Sequence, residues 1–163
     1  MFNWFKKKKK TKVPVVPEGV VQVSMKPVDF PPKIIVAWAK AVEGNQDILM
    51  WLKDNGYPEL YMATHAIWLK EEAREWLTSN GYPQLLAFIN AAEGNEKALR
   101  WLLLNDMMIF YHMAEAIEGE QSGWEWLAKN TSADIFILTQ LIKKVKDQIE
   151  EHHNDIHSFR KDL

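Results

Sequence analysis

The 163-residue chain contains no cysteine. This absence excludes disulfide scaffolds, thiol nucleophiles and cysteine-ligated zinc, and it fits a reducing compartment. We therefore expect a cytoplasmic protein. The length suits one domain, and a hydrophobic content of 47% is enough to form a core, which excludes disorder of the whole chain.

Long apolar runs are also missing. The densest stretches, residues 107–114 and 135–142, are short and contain His112 and Gln140, so neither predicts a membrane span of about 18 apolar residues. At the N-terminus the lysines follow the apolar residues, which is the reverse of the order in a secretory signal. The sequence predicts a protein that is soluble or lies on a membrane surface.

Signatures of catalysis are scarce. The seven glycines stand singly and form no phosphate-binding loop, and there is no serine or threonine elbow. Glu150, His153 and His157 are spaced to present three metal ligands on one side of a helix. Because this helix is full of charge, we favour solvated polar residues over a metal site. We expect no enzymatic activity, no cofactor and no bound metal.

The net charge of −2 conceals an uneven distribution. Residues 1–33 contain eight lysines and two acidic residues, a net of +6, whereas residues 34–163 contain 12 basic and 20 acidic residues, a net of −8. We therefore divide the chain into a basic, proline-rich arm at 1–33 and a helical-repeat domain at 34–163. The acidic domain is not expected to bind nucleic acid, because phosphate binding requires positive charge on a folded face.

The first part of the arm combines aromatic and basic residues. This composition places rings at the level of lipid headgroups while ammonium groups meet anionic lipid. The residues are Phe2, Trp4, Phe5, Lys6, Lys7, Lys8, Lys9 and Lys10. A disordered solubilising tail has the same composition, and both interpretations stay open. Residues 13–33 hold five of the seven prolines and are predicted to be extended, packing along the domain or forming a short edge strand.

A 25-residue repeat occupies most of the remaining chain. Tryptophan followed by leucine recurs at this spacing, with asparagine three residues after each leucine. The positions are Trp51, Trp76, Trp101 and Trp126; Leu52, Leu77, Leu102 and Leu127; and Asn55, Asn80, Asn105 and Asn130. We define four units, 43–67, 68–92, 93–117 and 118–142, preceded by a half unit at 34–42. Residues 25 apart form a column.

Each unit is predicted to form two short helices, because the apolar residues in both halves have helical spacing. Gly56 lies where a helix ends in the left-handed conformation, and Pro58 lies where the next one begins. Gly44 and Asn45 provide the stop and the N-cap at the other joint. The last helix is predicted to extend from about residue 133 to about residue 160. Stacked hairpins predict an all-α, right-handed solenoid with the tryptophan column in its core.

The stretch from Ala91 to Leu103 resembles the helical part of an ankyrin repeat, in which a helix of small residues ends at glycine and the next helix carries consecutive leucines. The spacing from Gly44 to Gly56 is similar to that of the same family. The unit here is shorter than the 33 residues of ankyrin and lacks the Thr-Pro-Leu-His motif and the β-hairpin. The resemblance covers residues 34–142 in outline and implies binding of other proteins through exposed faces.

Two neighbouring columns on the second helices vary in chemistry, which predicts an exposed face. Tyr61, His65 and Trp68 lie there on one helical stripe, and Tyr111 and Glu115 occupy the same columns two units later. Tyrosine and tryptophan are residue types that anchor interfaces. The alternative is that Trp68 only fills a gap between units.

The sequence therefore favours a non-catalytic protein-interaction or scaffolding module whose binding face includes these five residues. The acidic domain favours a basic or amphipathic partner segment. The alternative is a membrane-surface adaptor that docks through the aromatic and lysine-rich N-terminus. A metal-dependent enzyme is the third hypothesis.

Overall fold

The computed structural model describes residues 24–159, with side chains to residue 154. Within this range the protein is all-helical, which confirms the predicted fold class. The helices are α1 (Pro32–Glu43), α2 (Gln46–Asp54), α3 (Pro58–Ile67), α4 (Glu71–Ser79), α5 (Pro83–Ala92), α6 (Glu96–Leu104), α7 (Met108–Glu118), α8 (Gln121–Asn130) and α9 (Ala133–Phe159). None of these described helices has the length and apolar character needed to cross a membrane. The segment from Phe2 to Lys10 lies outside the described residues, so its membrane-surface role stays a prediction.

The turns between the helices use the residues that the repeat predicts. Asn45 and Asn95 cap α2 and α6, since each side-chain oxygen accepts a hydrogen bond from the backbone N–H three residues later at 3.0 Å. Gly44 and Gly119 end α1 and α7 in the left-handed conformation, with φ of 116° and 101°. Pro58 is the first residue of α3. The helical hairpins therefore follow the 25-residue period.

Odd-numbered and even-numbered helices form two layers. Each odd-numbered helix packs against the next odd-numbered one, whereas the even-numbered helices pack mainly against their odd-numbered neighbours. The odd-numbered helices also contain most of the buried residues. We call α1, α3, α5, α7 and α9 the inner helices and the others the outer helices.

The layer of inner helices closes on itself. The contact between α1 and α9 is the most extensive of all the helix pairs described. Lys144 on α9 pairs with Glu43 at the end of α1 at 3.4 Å, and Lys146 pairs with Glu118 at the end of α7. The helix α9 therefore lies between α1 and α7. The predicted solenoid, which has two free ends, is not confirmed, because here the first and last inner helices are neighbours.

The tryptophan column is not the core, contrary to our prediction. Trp51 exposes 46% of its surface, and the other three members of the column are half-buried. The leucine beside each tryptophan is fully buried instead. The innermost column of the inner helices is also fully buried. It consists of Trp38, Ala63, Phe88, Met113 and Leu138. The indoles lie on the outer side of this core, where Trp51 and Trp76 stack on tyrosine rings six residues later.

The asparagine column has a local function at the ends of the outer helices. Each asparagine side chain donates a hydrogen bond to the backbone carbonyl of the tryptophan four residues earlier, at 2.8 to 2.9 Å. In the first three units the same carbonyl also accepts the backbone N–H of the asparagine at 3.0 Å, so the side chain adds a second hydrogen bond at the end of the helix. The same bond forms in all four units.

The last part of the arm, residues 24–31, lies across the N-terminal ends of the inner helices. The Lys26 N–H donates a hydrogen bond to the Gly81 carbonyl at 2.8 Å, and the Gln84 side chain donates one to the Lys26 carbonyl. Phe30 contacts Tyr57 edge to face at 6.2 Å. No strand is found in residues 24–31, so the predicted edge strand is absent from this part, while residues 13–23 lie outside the described range.

Glu59, the counterpart of Gln84 in the first unit, provides a test of the packing of residues 24–31 against the inner helices. Burial raises the pKa of Glu59, and a backbone hydrogen bond and the positive charge of Lys26 offset the increase in part. A carboxyl whose pKa is higher in the folded than in the unfolded protein stabilises the fold below its unfolded value of 4.5, and this contribution is lost as the pH rises through the folded pKa.

We therefore expect Glu59→Gln to raise the melting temperature at pH 7 to 8, with a gain that shrinks towards pH 4, where Glu59 in the parent protein is also neutral. Thermal unfolding of both proteins across this pH range measures the difference. Glu71→Gln, at an exposed position on α4, is the control and should show a smaller gain at neutral pH. A constant difference between pH 4 and pH 8 for Glu59→Gln would contradict this expectation.

Candidate functional site

Three of the five predicted site residues form one aromatic cluster. The Tyr61 and His65 rings meet edge to face with centroids 4.6 Å apart, and His65 and Trp68 do so at 5.4 Å. The Trp68 indole N–H donates a hydrogen bond to the Val42 carbonyl on α1 at 3.2 Å. The Lys53 ammonium lies 5.2 Å from the centre of the Tyr61 ring. The helical spacing of these three residues thus leads to direct contact in the fold.

This cluster is half-buried rather than fully exposed, because Tyr61 packs beside Lys53 of α2 and Trp68 beside Val42 of α1. The Nε2 atom of the His65 ring is buried and has no hydrogen-bond partner among the described residues. Burial lowers the pKa of His65, and the nearby Lys70 lowers it further. His65 is therefore held in its neutral form at neutral pH.

Tyr111 and Glu115 form a separate cluster on α7. The Glu115 carboxylate lies 2.8 Å from the His112 ring nitrogen, and Trp126 stacks on the His112 ring at 4.2 Å. Burial and the nearby Glu115 carboxylate raise the pKa of Tyr111. Among the contacts of the described residues, none joins this cluster to Tyr61, which lies two units earlier. The five residues therefore fall into two groups that share no direct contact.

The turn between α3 and α4 differs from the three related turns. Trp68 and Leu69 stand where the first, third and fourth turns have glutamate followed by glycine. Leu69 adopts a φ of +66°, the left-handed conformation that glycine adopts in the other turns. Leu69 also exposes 46% of its surface. A leucine in this conformation costs about 1–2 kcal/mol.

Leu69 borders an apolar groove between the C-terminal ends of α3 and α5 and the second half of α9. The groove contains a cavity of about 150 Å³ whose lining is almost entirely apolar. The apolar residues that define this α9 groove are Ile67, Leu69, Phe88, Ile89, Ala92, Ile142 and Ile149. Trp68 lies on the neighbouring surface, which also faces α9. The groove and the aromatic cluster therefore adjoin each other at the Trp68–Leu69 turn.

Charged side chains at the rim of the α9 groove are largely paired with one another. Arg74 binds Glu93 at 2.6 Å, and Lys146 lies 3.6 Å from Glu150 in addition to its contact with Glu118. These pairs leave the apolar floor as the feature that a ligand would contact.

The predicted metal ligands lie at the edge of the same groove. Glu150 and His153 line it, whereas the His157 side chain is outside the described residues. Among the side chains described, no group of three histidine, aspartate or glutamate residues is arranged to hold a metal ion.

Comparisons of the chain with protein-family models, with curated proteins and with solved structures found no match. The similarity to ankyrin repeats is therefore one of sequence pattern. Spacing led to Tyr61, His65 and Trp68, but it missed Leu69, whose only signal in the sequence is a leucine in a column that otherwise consists of glycine.

Proposed function

We propose that the protein is a non-catalytic protein-binding or scaffolding module built from repeated helical hairpins, and that the α9 groove takes an apolar segment of a partner protein. The observation that carries this proposal is Leu69, a bulky, exposed residue in a backbone conformation that its three counterparts leave to glycine. Strained backbone positions cluster at ligand-binding sites, so the strain at Leu69 indicates a binding site.

Stability alone does not account for Leu69. The left-handed conformation is unfavourable for leucine, and only the buried part of the side chain offsets that cost, since 46% of its surface is exposed. Binding of a partner that covers Leu69 would bury this area. Exposed apolar residues beside an apolar groove are typical of such interaction sites.

The shape of the α9 groove favours a helical or extended segment with apolar side chains on one side. A helix of the partner would place its apolar face against the groove, as in other complexes between a helix and a groove. The negative charge of residues 34–163 favours a partner segment that is also basic or amphipathic. Tyr61, His65 and Trp68 would support the groove from the adjoining cluster.

The proposal predicts that Leu69→Gly changes stability little and weakens binding. The free energy of unfolding should change by less than about 1 kcal/mol, because relief of the left-handed strain is offset by the unfolded-state entropy of glycine and by the loss of the buried part of the leucine side chain. The dissociation constant of the partner should increase about tenfold, because the leucine side chain no longer contributes buried apolar area. Urea unfolding measures the first effect, and titration of the partner captured with the intact protein measures the second.

Leu104→Ser is the matched control, since Leu104 is an exposed leucine at the C-terminal end of the outer helix α6 and does not line the α9 groove. This variant should retain the partner. A folded Leu69→Gly protein that binds the same partner with unchanged affinity would contradict the proposed site.

The second candidate function is a membrane-surface adaptor. The aromatic and lysine-rich residues between Phe2 and Lys10 favour it, since each lysine near anionic lipid contributes about 1 kcal/mol. Co-sedimentation with anionic liposomes tests it. Binding at low salt that is lost when residues 1–12 are deleted would support the adaptor, and binding that survives the deletion would oppose it.

A further inference from the structure

The turn of the third unit exposes apolar residues where the other units are mainly polar. Leu104 exposes 77% of its surface, and Leu103 and Ile109 expose 47% and 43%. The residues at the same positions elsewhere are Lys53, Asp54 and Glu59 in the first unit, Thr78, Ser79 and Gln84 in the second, and Ala128, Lys129 and Asp134 in the fourth. The apolar surface is therefore specific to one unit and does not follow from the repeat.

Of these residues, Ile109 lines a second cleft, at the N-terminal ends of α1, α7 and α9. The cleft has a volume of about 360 Å³ and a mainly apolar lining. The apolar residues that define this N-terminal cleft are Val28, Phe30, Ile35, Trp38, Met107, Met108, Ile109, Phe110, Met113, Ile135 and Leu138. Methionine side chains adapt to ligands of different shape, and three of them line this cleft.

Two further features indicate what the cleft would accept. The ionisable residues that line it, Asp29 and Asp106, are both acidic and both exposed. Trp38 is almost completely buried, and its indole N–H has no hydrogen-bond partner among the described residues. The cleft thus combines an apolar floor with a negatively charged rim, which matches a ligand with apolar or aromatic side chains next to basic ones.

One segment of this chain has that chemistry. Phe2, Trp4 and Phe5 are followed directly by Lys6–Lys10. The described part of the chain begins at Ser24, and Val28 and Phe30 already line the cleft. The 19 peptide links from Phe5 to Ser24 can span roughly 60 Å, which is enough for a return to this cleft. A tether of this length raises the effective concentration to about the millimolar range, so even a weak contact would be populated.

We propose that the N-terminal cleft binds residues 2–10 of the same chain, with the aromatic rings against the apolar floor and the lysines beside Asp29 and Asp106. The contact places the basic arm on the acidic domain. It also sequesters the residues that would otherwise meet a lipid surface, so arm–cleft binding and lipid binding exclude each other.

A nitroxide label on the arm tests the proposal in the full-length protein. The chain has no cysteine, so Asn3→Cys creates a single labelling site. With ¹³C-methyl methionine, we expect the oxidised label to remove most of the Met107 and Met108 methyl signal and less of the Met50 signal, which comes from the outer helix α2. Reduction of the label should restore all of these signals.

Two variants test whether the rim charge and the apolar lining hold the arm in the cleft. Asp29→Asn with Asp106→Asn removes the rim charge, and asparagine, like aspartate, tolerates the left-handed backbone of position 106. Ile109→Gln installs the residue of the second unit in the cleft lining. Both should fold, since all three positions are exposed, and both should lose the selective broadening of Met107 and Met108. Broadening that persists in both variants would overturn the proposal.

A mixture of two proteins distinguishes binding of the chain's own arm from binding of the arm of a second copy. One protein carries the nitroxide but no ¹³C, and the other carries ¹³C-methyl methionine but no nitroxide. We expect no broadening in this mixture. Selective broadening of Met107 and Met108 there would show that the occupant is another molecule, and uniform broadening of all the methionines in the labelled protein would show that the arm has no preferred site.

Discussion

Replacement of Phe88 by alanine is expected to lower the free energy of unfolding by about 3–5 kcal/mol. Phe88 is fully buried on α5, in the innermost column of the inner helices, and its ring stacks on Phe110 of α7 with centroids 5.0 Å apart. The substitution removes the apolar burial and leaves a cavity that the closed layer of inner helices has little freedom to fill. Such a loss is a large part of the 5–15 kcal/mol that stabilises a typical domain.

Urea unfolding monitored by helical circular dichroism measures this loss. Phe88→Leu is the matched variant and should cost less, because it keeps most of the apolar volume. If Phe88→Ala does not fold, the midpoint for Phe88→Leu still reports on the site. A loss below about 1 kcal/mol for Phe88→Ala would show that the inner helices collapse around the cavity.

Gly123→Ala is the substitution with the second-largest expected effect, and its direction is opposite to helix propensity. Alanine is favoured over glycine within a helix by about 1 kcal/mol. A Cβ at position 123 of α8, however, would lie 2.6 Å from the Ala116 backbone nitrogen and 2.7 Å from the His112 carbonyl oxygen on α7. Both neighbours are backbone atoms, so α8 would have to move away from α7. We expect a net loss of about 1–3 kcal/mol.

Ala73→Gly, in the same column on α4, is the control for this prediction. It should cost about 1 kcal/mol through helix propensity and the loss of a small buried methyl group. Displacement of α8 would also disturb the stacking of Trp126 on His112, so near-ultraviolet circular dichroism should change with Gly123→Ala and not with Ala73→Gly. A Gly123→Ala protein more stable than the parent would exclude the close approach of α7 and α8.

The sequence predicted the local structure well, because the signals for helix ends are local. Asn45 caps α2, Gly44 ends α1 and Pro58 begins α3, each through chemistry that involves only a few neighbouring residues. The 25-residue period also located all four hairpins. These predictions required no knowledge of how the hairpins pack.

The inward-facing side of each hairpin could not be predicted from the period. Trp51 and Leu52 both recur every 25 residues, so the period by itself does not tell which of them is buried. The structure places Leu52 inside and Trp51 on the outer side, because a second layer of tightly packed inner helices already fills the centre. The contact of α1 with α9 was equally hidden, since it depends on small rotations between successive hairpins that accumulate over the array.

The candidate site was predicted in part. The spacing of Tyr61, His65 and Trp68 led to one contacting cluster, because residues one turn apart on a helix are neighbours whatever the tertiary structure. Tyr111 and Glu115 lie in a separate cluster, because they stand two units further along the same columns, where Glu115 contacts His112. The α9 groove is formed by residues far apart in the chain, such as Leu69 and Ile149, which the repeat does not relate to each other.

The contact between α1 and α9 has a consequence for how the protein folds and evolves. In an open repeat array, units can be added, lost or unfolded from an end, since each contacts only its neighbours. Here Glu43 on α1 contacts Lys144 on α9, so neither end of the array has all its contacts until the two ends come together. Closing this long loop slows folding. Loss or duplication of one 25-residue unit would leave α1 and α9 unable to meet in the same geometry. The repeat number is therefore set by closure.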